Sequence, residues 1–395
     1  MSKGFFKVPV AINEPVRAYE PGSKHRDEVI ASYNKMFNSN IDIPFYSKNL
    51  KISKQFLIIG LIISIPMLVL TTINLGEEIH SGFYLDIPYD GVLFFFFNGK
   101  LIFNIFIIPC LYFISILPFW ILFGLSNVLY YIIFYVFSYR KKVVLDNLRK
   151  SFPEKSEIEI NKISKEFYRH FCDIIFETIK LLTISIPEFK KRCALNQEDL
   201  DLFNHFFNKQ QSFVGVMGHC GNWEWAAIAH QFYFKSLITG VYHPLSNKNF
   251  DSFMLKLRGR LGGNIIPMSR VYKELLILRE KKIMNTLGLI ADQTPPPESA
   301  YWTKFLNQDT PIFFGAEKIA KKFDYPVIFL SNKKLKRGYY QLSAHIITEN
   351  PKKLNDGEIT ELHVKQLEKD INSQPFNWLW SHKRWKHKKP ILDIN

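Results

Sequence analysis

Residues Phe213–Trp225 read FVGVMGHCGNWEW, and the rest of the chain is organised around this stretch. Phe213 to Met217 is a short apolar run suited to a buried strand, and Gly218-His219 ends it. Five residues after the histidine, Glu224 heads an apolar, alanine-bearing helical pattern. On one regular helix, five steps of about 100° would leave the two side chains roughly 140° apart. They meet only across a turn, for which Gly218 and Gly221 supply the backbone freedom. The expected arrangement is a histidine base leaving a strand and a glutamate orienting it from the first helical turn. A carboxylate on one imidazole nitrogen fixes the tautomer and raises the basicity of the other, which then takes a proton from an attacking hydroxyl. Asn222 and the helix amino terminus stand ready for a developing oxyanion. Cys220 offers the alternative of a thiol nucleophile and an acyl-enzyme intermediate.

Outward from this stretch, strand-like runs alternate with helical ones. The strands are expected at Phe213 to Met217, Leu237 to Tyr242, Asn264 to Ile266, Leu287 to Ala291, Pro326 to Ser331 and Tyr339 to Ile346. Helical patterns cover Tyr272 to Lys282, Gly315 to Phe323 and about Glu358 to Asn372. The alternation predicts an α/β domain, a mixed or mostly parallel sheet flanked by helices. In such sheets ligands sit beyond strand carboxyl ends, where His219 lies.

Upstream, Ser156-x-x-Glu159 forms a capping-box pattern. It predicts a long helix with Ile163, Phe167, Phe171, Ile174, Ile175, Ile179 and Leu182 on one face, which suits either the core or the membrane, and His170 beside it as a partly buried structural histidine. Before that come two uncharged runs, Phe56 to Leu75 and Leu101 to Tyr139. The first is long enough to span a bilayer, a buried core helix being the alternative. The second, interrupted by Pro109 and Pro118, fits a tilted span with an interfacial helix or a re-entrant pair. Lys48, Lys51 and Lys54 before the first run, and Arg140, Lys141 and Lys142 after the second, place both outer flanks in the cytoplasm; Lys100 departs from that scheme. Three regions follow: a polar segment 1–51 with a short helical pattern from His25 to Phe37, a membrane-anchoring region 52–140, and a catalytic domain 141–395. The tail NWLWSHKRWKHKK mixes indoles with cations, as a membrane interface holding anionic headgroups does, with individual tryptophans as core residues the alternative.

The 395 residues carry a formal net charge of +15 and are 47% hydrophobic and 15% aromatic. That supplies a large core and favours anionic partners. Four cysteines without metal spacing indicate neither a disulfide framework nor a zinc site, and fit a reducing compartment. No P-loop or dinucleotide fingerprint is present, nor a secretory signal pattern at Met1. Without a recognisable nucleic-acid fold, the basic and aromatic residues point to a membrane rather than to nucleic acid.

The ordered blocks GHCGNWEW, GGNIIPMSR, ADQTPP, PIFFGAEKIAKKFDYPV and WLWSHKRWK resemble the lipid A biosynthesis acyltransferases, the lauroyl and myristoyl transferase branch of the glycerolipid acyltransferase superfamily. The resemblance runs from about Leu101 to Lys388. It implies His219 as general base with Glu224 as partner, and Asn222 shaping the site. Arg270 looks like the family's motif arginine, suited to an oxyanion or a substrate phosphate, although a helix-capping surface arginine fits the same position. Asp292 and Gln293 suit a site wall, and Asp292 equally suits a turn. Further implied are an acyl carrier protein or coenzyme A thioester as co-substrate, no cofactor, a hydroxyl of a lipid A precursor as acceptor, and the cytoplasmic face of the bacterial inner membrane. Another amphiphile, such as an aminoacyl lipid or a glycolipid, is an alternative acceptor. A non-catalytic membrane scaffold is the alternative of another class, against which the presence of both His219 and Glu224 speaks. Separately, KGFFKVPVAINEPVRAYEPGS and the residues to about Lys51 resemble the amino-terminal segment of bacterial pyrroline-carboxylate dehydrogenases. No motif of that family follows, so the segment implies no dehydrogenase activity.

Overall fold

The computed structural model describes Asp27 and residues 107–390. The dehydrogenase-like segment, the His25 to Phe37 pattern apart from helical Asp27, the run Phe56 to Leu75 with its flanking charges, and residues 101–106 lie outside the described residues.

Nine strands are described, and seven build one sheet: β1 (Cys193–Leu195), β2 (Phe213–Met217), β3 (Leu237–Tyr242), β4 (Asn264–Pro267), β5 (Asn285–Ile290), β8 (Val327–Lys336) and β9 (Tyr339–Thr348). Their spatial order is β1-β9-β8-β2-β5-β3-β4. Neighbours run parallel except in the β8–β9 hairpin. β2 sits at the centre because FVGVM is apolar on both faces, and all five residues are buried. Each strand expected from the sequence is present: β2 and β3 have the expected ends, and β4, β5, β8 and β9 have shifted ones, the largest shift being the extension of β8 to Lys336. Three strands carried no signal strong enough to find. One is β1, only three residues long. The others are β6 (Ala300–Phe305) and β7 (Gln308–Phe313), an antiparallel hairpin outside the main sheet. Leu306 and Asn307 turn it with φ of 47° and 65°, the geometry that suits the twist of a two-residue hairpin but goes unannounced without a glycine.

Of the helices, α1 (Ile108–Ile116) and α2 (Phe119–Tyr131) divide the second uncharged run at Pro118, whose fixed φ starts α2 and whose missing N–H ends α1. α2 continues as a π-helix over Ile132–Val136. Together, Phe119–Val136 is the single segment among the described residues long and apolar enough to cross a membrane, and a third of it is buried within the protein. After α3 (Lys141–Ser151) comes α4 (Glu157–Lys180), started by the capping box: Glu159 N–H donates to Ser156 Oγ, and Ser156 N–H donates to Glu159 Oε2 at 2.9 Å. Its apolar face meets the core: Phe167, Phe171, Ile174, Ile175 and Ile179 are buried and Ile163 half-buried, while Leu182, also buried, lies beyond the helix end. His170 is fully buried rather than partly, with Lys334 Nζ 3.0 Å from its Nδ1. Lys180 closes α1 by donating to Ser115 O and Leu117 O.

Shorter helices follow: α5 (Ile186–Arg192), α6 (Gln197–Asn208), α7 (Trp223–Tyr233), α8 (Lys248–Gly259), α9 (Val271–Glu280), α10 (Gly315–Phe323) and α11 (Glu358–Ser373).

The carboxy-terminal tail corrects an expectation. Trp378 and Trp380 are 2% and 0% exposed, and Arg384 is fully buried. These aromatics pack on Phe152, Phe305 and one another, so the tail is core rather than a membrane interface. Lys383, Lys386 and Lys388 alternate outward from it.

Candidate active site

His219 stands two residues beyond the end of central strand β2 at Met217, and Asp292 two residues beyond the end of β5 at Ile290. The two strands are parallel and in register, Met217 opposite Ile290, and Ala291 N–H donates to Met217 O at 3.1 Å. That pairing carries both chain ends forward together, and the side chains meet. His219 Nδ1 lies 2.5 Å from Asp292 Oδ1, and His219 N–H donates to Asp292 Oδ2 at 2.7 Å. Trp378 Nε1 donates to the same oxygen at 2.7 Å. Gly218 permits the approach: a Cβ there would stand 2.5 Å from Leu367 and 3.2 Å from Asp292 Oδ2. Burial by itself would raise the Asp292 pKa. The charge and hydrogen bonds of His219, with the Trp378 indole, outweigh burial and hold it well below the ordinary carboxylate value. Trp223 stands edge-on to the imidazole at 5.2 Å between ring centroids.

The carboxylate on the imidazole is therefore Asp292, and the expected His219–Glu224 hydrogen bond is corrected. The turn between them exists, with Gly221 at φ +58°, but it aims Glu224 elsewhere. Arg258 of α8 forks onto it, Nε to Oε2 at 2.8 Å and Nη2 to Oε1 at 2.6 Å. Burial opposes ionisation of Glu224, yet Arg258 and the nearby His219 charge hold its pKa below normal. A planar guanidinium meets both carboxylate oxygens at once, which a single imidazole nitrogen cannot do.

Asn222 is likewise redirected. It is fully buried; its Oδ1 accepts from Trp225 N–H as the cap of α7, and its Nδ2 donates to Glu177 Oε2 at 2.7 Å. With both ends of its amide engaged in the fold, its side chain shapes the turn from within. Glu177, on α4, also accepts from Tyr340 Oη at 2.7 Å, while its backbone carbonyl accepts from Trp225 Nε1. The Cys220 thiol is buried, and burial pushes its pKa well above the usual value, which removes the thiolate that a nucleophile needs.

Arg270 is exposed at the carboxyl end of β4, in the 3₁₀ turn Met268–Arg270 that leads into α9. It shares the sheet end with His219 but stands three strands from β2, on the order of 14 Å at ordinary strand spacing. Gln293 is half-buried between Asp292 and Thr294. Thus His219 and Asp292 meet, Gln293 follows Asp292 in the chain, Glu224 and Asn222 are engaged by Arg258 and Glu177, and Arg270 stands apart. Sequence reading missed Arg258, Glu177 and Trp378. Asp292 was visible as the acid ending a strand-like run before three prolines, but its partner depends on β2 pairing with β5.

The site so assembled is a carboxylate-oriented imidazole beyond the carboxyl ends of central parallel strands, able to move a proton to and from a hydroxyl. Residues 100–387 match the family model described as bacterial lipid A biosynthesis acyltransferase, while no curated protein matches the chain. With the match covering most of the chain, and all of the site within it, the protein belongs to the bacterial lipid A biosynthesis acyltransferase family and is an acyltransferase.

Proposed function

We propose that the protein transfers a fatty acyl chain from the thioester of acyl carrier protein or coenzyme A to a hydroxyl of a lipid A precursor, with His219 as general base and Asp292 as its orienting carboxylate. The observation that carries this reading is the 2.5 Å contact of His219 Nδ1 with Asp292 Oδ1. A carboxylate there holds the proton on Nδ1 and the basic lone pair on Nε2. The acceptor hydroxyl gives its proton to Nε2 as its oxygen attacks the thioester carbon. The tetrahedral intermediate then collapses, the carbon–sulfur bond breaks, and the imidazolium returns the proton to the departing thiolate. Ester and free thiol are the products, so thioester and hydroxyl suffice as reactants. The first turn of α7, beginning at Trp223, brings the positive end of a helix dipole to the developing oxyanion.

Glu224 acts through Arg258, anchoring α8 to the motif turn. Arg270, exposed on the sheet end that carries His219, suits the phosphates of the acceptor, and the net charge of +15 attracts both those phosphates and an acidic carrier. The reaction takes place at the cytoplasmic face of the inner membrane. Phe113, Ile116, Trp120, Tyr131 and Val136 form an exposed apolar set on α1, α2 and the π-turn, while the opposite side of α2 packs on α4, as a helix lying in the interface does.

Membranes containing the full chain, supplied with labelled acyl carrier protein and a lipid A precursor, test the reaction. His219→Ala is expected to lower transfer by about 10³-fold or more with the protein still folded. Wild-type transfer by that variant would overturn the assignment.

A further inference from the structure

Arg384 is fully buried in the tail, and no acid forms an ion pair with it among the described residues. Its Nη2 donates to Pro311 O at 2.7 Å, its Nη1 reaches Thr294 Oγ1 at 3.4 Å, and its Nε has no hydrogen-bond partner among them. Thr294 Oγ1 in turn donates to Arg384 O at 2.8 Å. Burial lowers the guanidinium pKa to about 10, and the opposing influence is the charge of Asp292. Arg384 and Asp292 line one small cavity with Met217, His363 and Leu367. A buried cation without an ion-pair partner is costly in a fold, and an apolar side chain would fill the place more cheaply. Its position supplies a reason: the tail cation stands by the loop Asp292–Thr294, whose first residue holds the imidazole.

We propose that Arg384 is a positioning residue of the acyl transfer, its buried charge keeping the negative charge on Asp292 and its hydrogen bonds holding the Asp292–Thr294 loop. The inference rests on His219 being the base. When His219 takes the hydroxyl proton, a neighbouring carboxylate stabilised by a fixed cation keeps its charge, so the proton stays on the imidazole and is available to the leaving thiolate. Among the described residues, the other titratable groups about Asp292 and its loop include Cys220, His363 and His382. Burial keeps the Cys220 thiol protonated and lowers the His363 pKa to about 4, so neither supplies this charge near neutral pH; His382 Nε2 stands 3.1 Å from Thr294 Oγ1.

The test compares Arg384→Lys, Arg384→Met and His219→Ala in the full chain, measuring kcat, KM and thermal stability across pH. Arg384→Met is expected to lower kcat at pH 7 by about tenfold to a hundredfold with KM for the acyl donor unchanged, and to move the acid limb of the profile to higher pH, because removing a positive charge makes the His219–Asp292 pair easier to protonate. Its melting temperature is expected to stay level or rise, since an unpaired buried charge has gone. Arg384→Lys keeps the charge and the position of the acid limb. Wild-type kcat in Arg384→Met, or a loss that follows the loss of folded protein with the limb unmoved, overturns the proposal. If Arg384→Met does not fold, Arg384→Gln, which can still donate to Pro311 O, takes its place under the same criteria. An active His219→Ala removes the base reading and this inference with it; an inactive His219→Ala beside an unaffected Arg384→Met removes this inference alone.

Discussion

At the scale of single residues, the two acids of the site divide the work by what faces them. Asp292 meets an imidazole and an indole, and Glu224 meets a guanidinium. Asp292→Asn keeps the size and most of the contacts but loses the charge that fixes the Nδ1 proton. It is expected to lower kcat by about 10² to 10⁴-fold with little change in KM, as steady-state acyl transfer would show. Glu224 and Arg258 form a largely buried pair, so each single alanine substitution leaves a stranded charge. The double variant is expected to be no less stable than the worse single variant, a coupling of about 3 kcal/mol in a denaturation cycle. Additive losses would deny the pair that role. From the sequence the histidine was legible and its partner was not. Spacing along one chain makes Glu224 the nearer candidate, whereas hydrogen-bond reach in three dimensions belongs to a residue 73 positions away.

At the scale of elements, α4, α7 and β9 converge on one buried carboxyl group. Burial, reinforced by the neighbouring Asp173, raises the Glu177 pKa to about 7 from 4.5, although Lys334 and the hydrogen bonds of Tyr340 and Asn222 pull the other way. For an acid the sign is clear: the folded state keeps a proton that the unfolded state releases above 4.5. The favourable, protonated form thus contributes fully at low pH, and its contribution is lost as pH rises from 4.5 to about 7. That interval corresponds to roughly 3 kcal/mol. Glu177→Gln, which cannot ionise, is expected to flatten this part of the stability profile, as unfolding by denaturant at several pH values would reveal. An unchanged slope would show that Glu177 does not titrate there. The capping box of α4 and the apolar face behind it were readable because each is a local pattern. The Glu177 network was not, since its members come from three separated elements.

At the scale of the whole molecule, α1, α2 and the π-turn present an apolar surface with Phe113 68% and Trp120 76% exposed. α2 is tied down on its other side, where Ser126 Oγ donates to Asp173 Oδ1 at 2.7 Å and Arg337 Nη2 donates to Asn127 Oδ1 at 2.9 Å. A face so exposed on a helix so anchored suits the plane of a bilayer surface. Phe113→Glu with Trp120→Glu is expected to weaken co-sedimentation with anionic vesicles about tenfold or more, without lowering the melting temperature. Unchanged vesicle binding would assign membrane contact to another part of the chain.

By itself the sequence determined the α/β alternation, the central strand FVGVM, the helix starts and the histidine at a strand's end, because strand period, capping and turn chemistry act between near neighbours. Tertiary structure alone decided the rest. Only the pairing of β2 with β5 sets Asp292 on His219, only the approach of α8 draws Glu224 to Arg258, and only the packing of the tail turns its tryptophans inward. Each of these is a contact between distant positions, chosen by shape and charge once the sheet has formed, and periodicity along the chain carries no record of it.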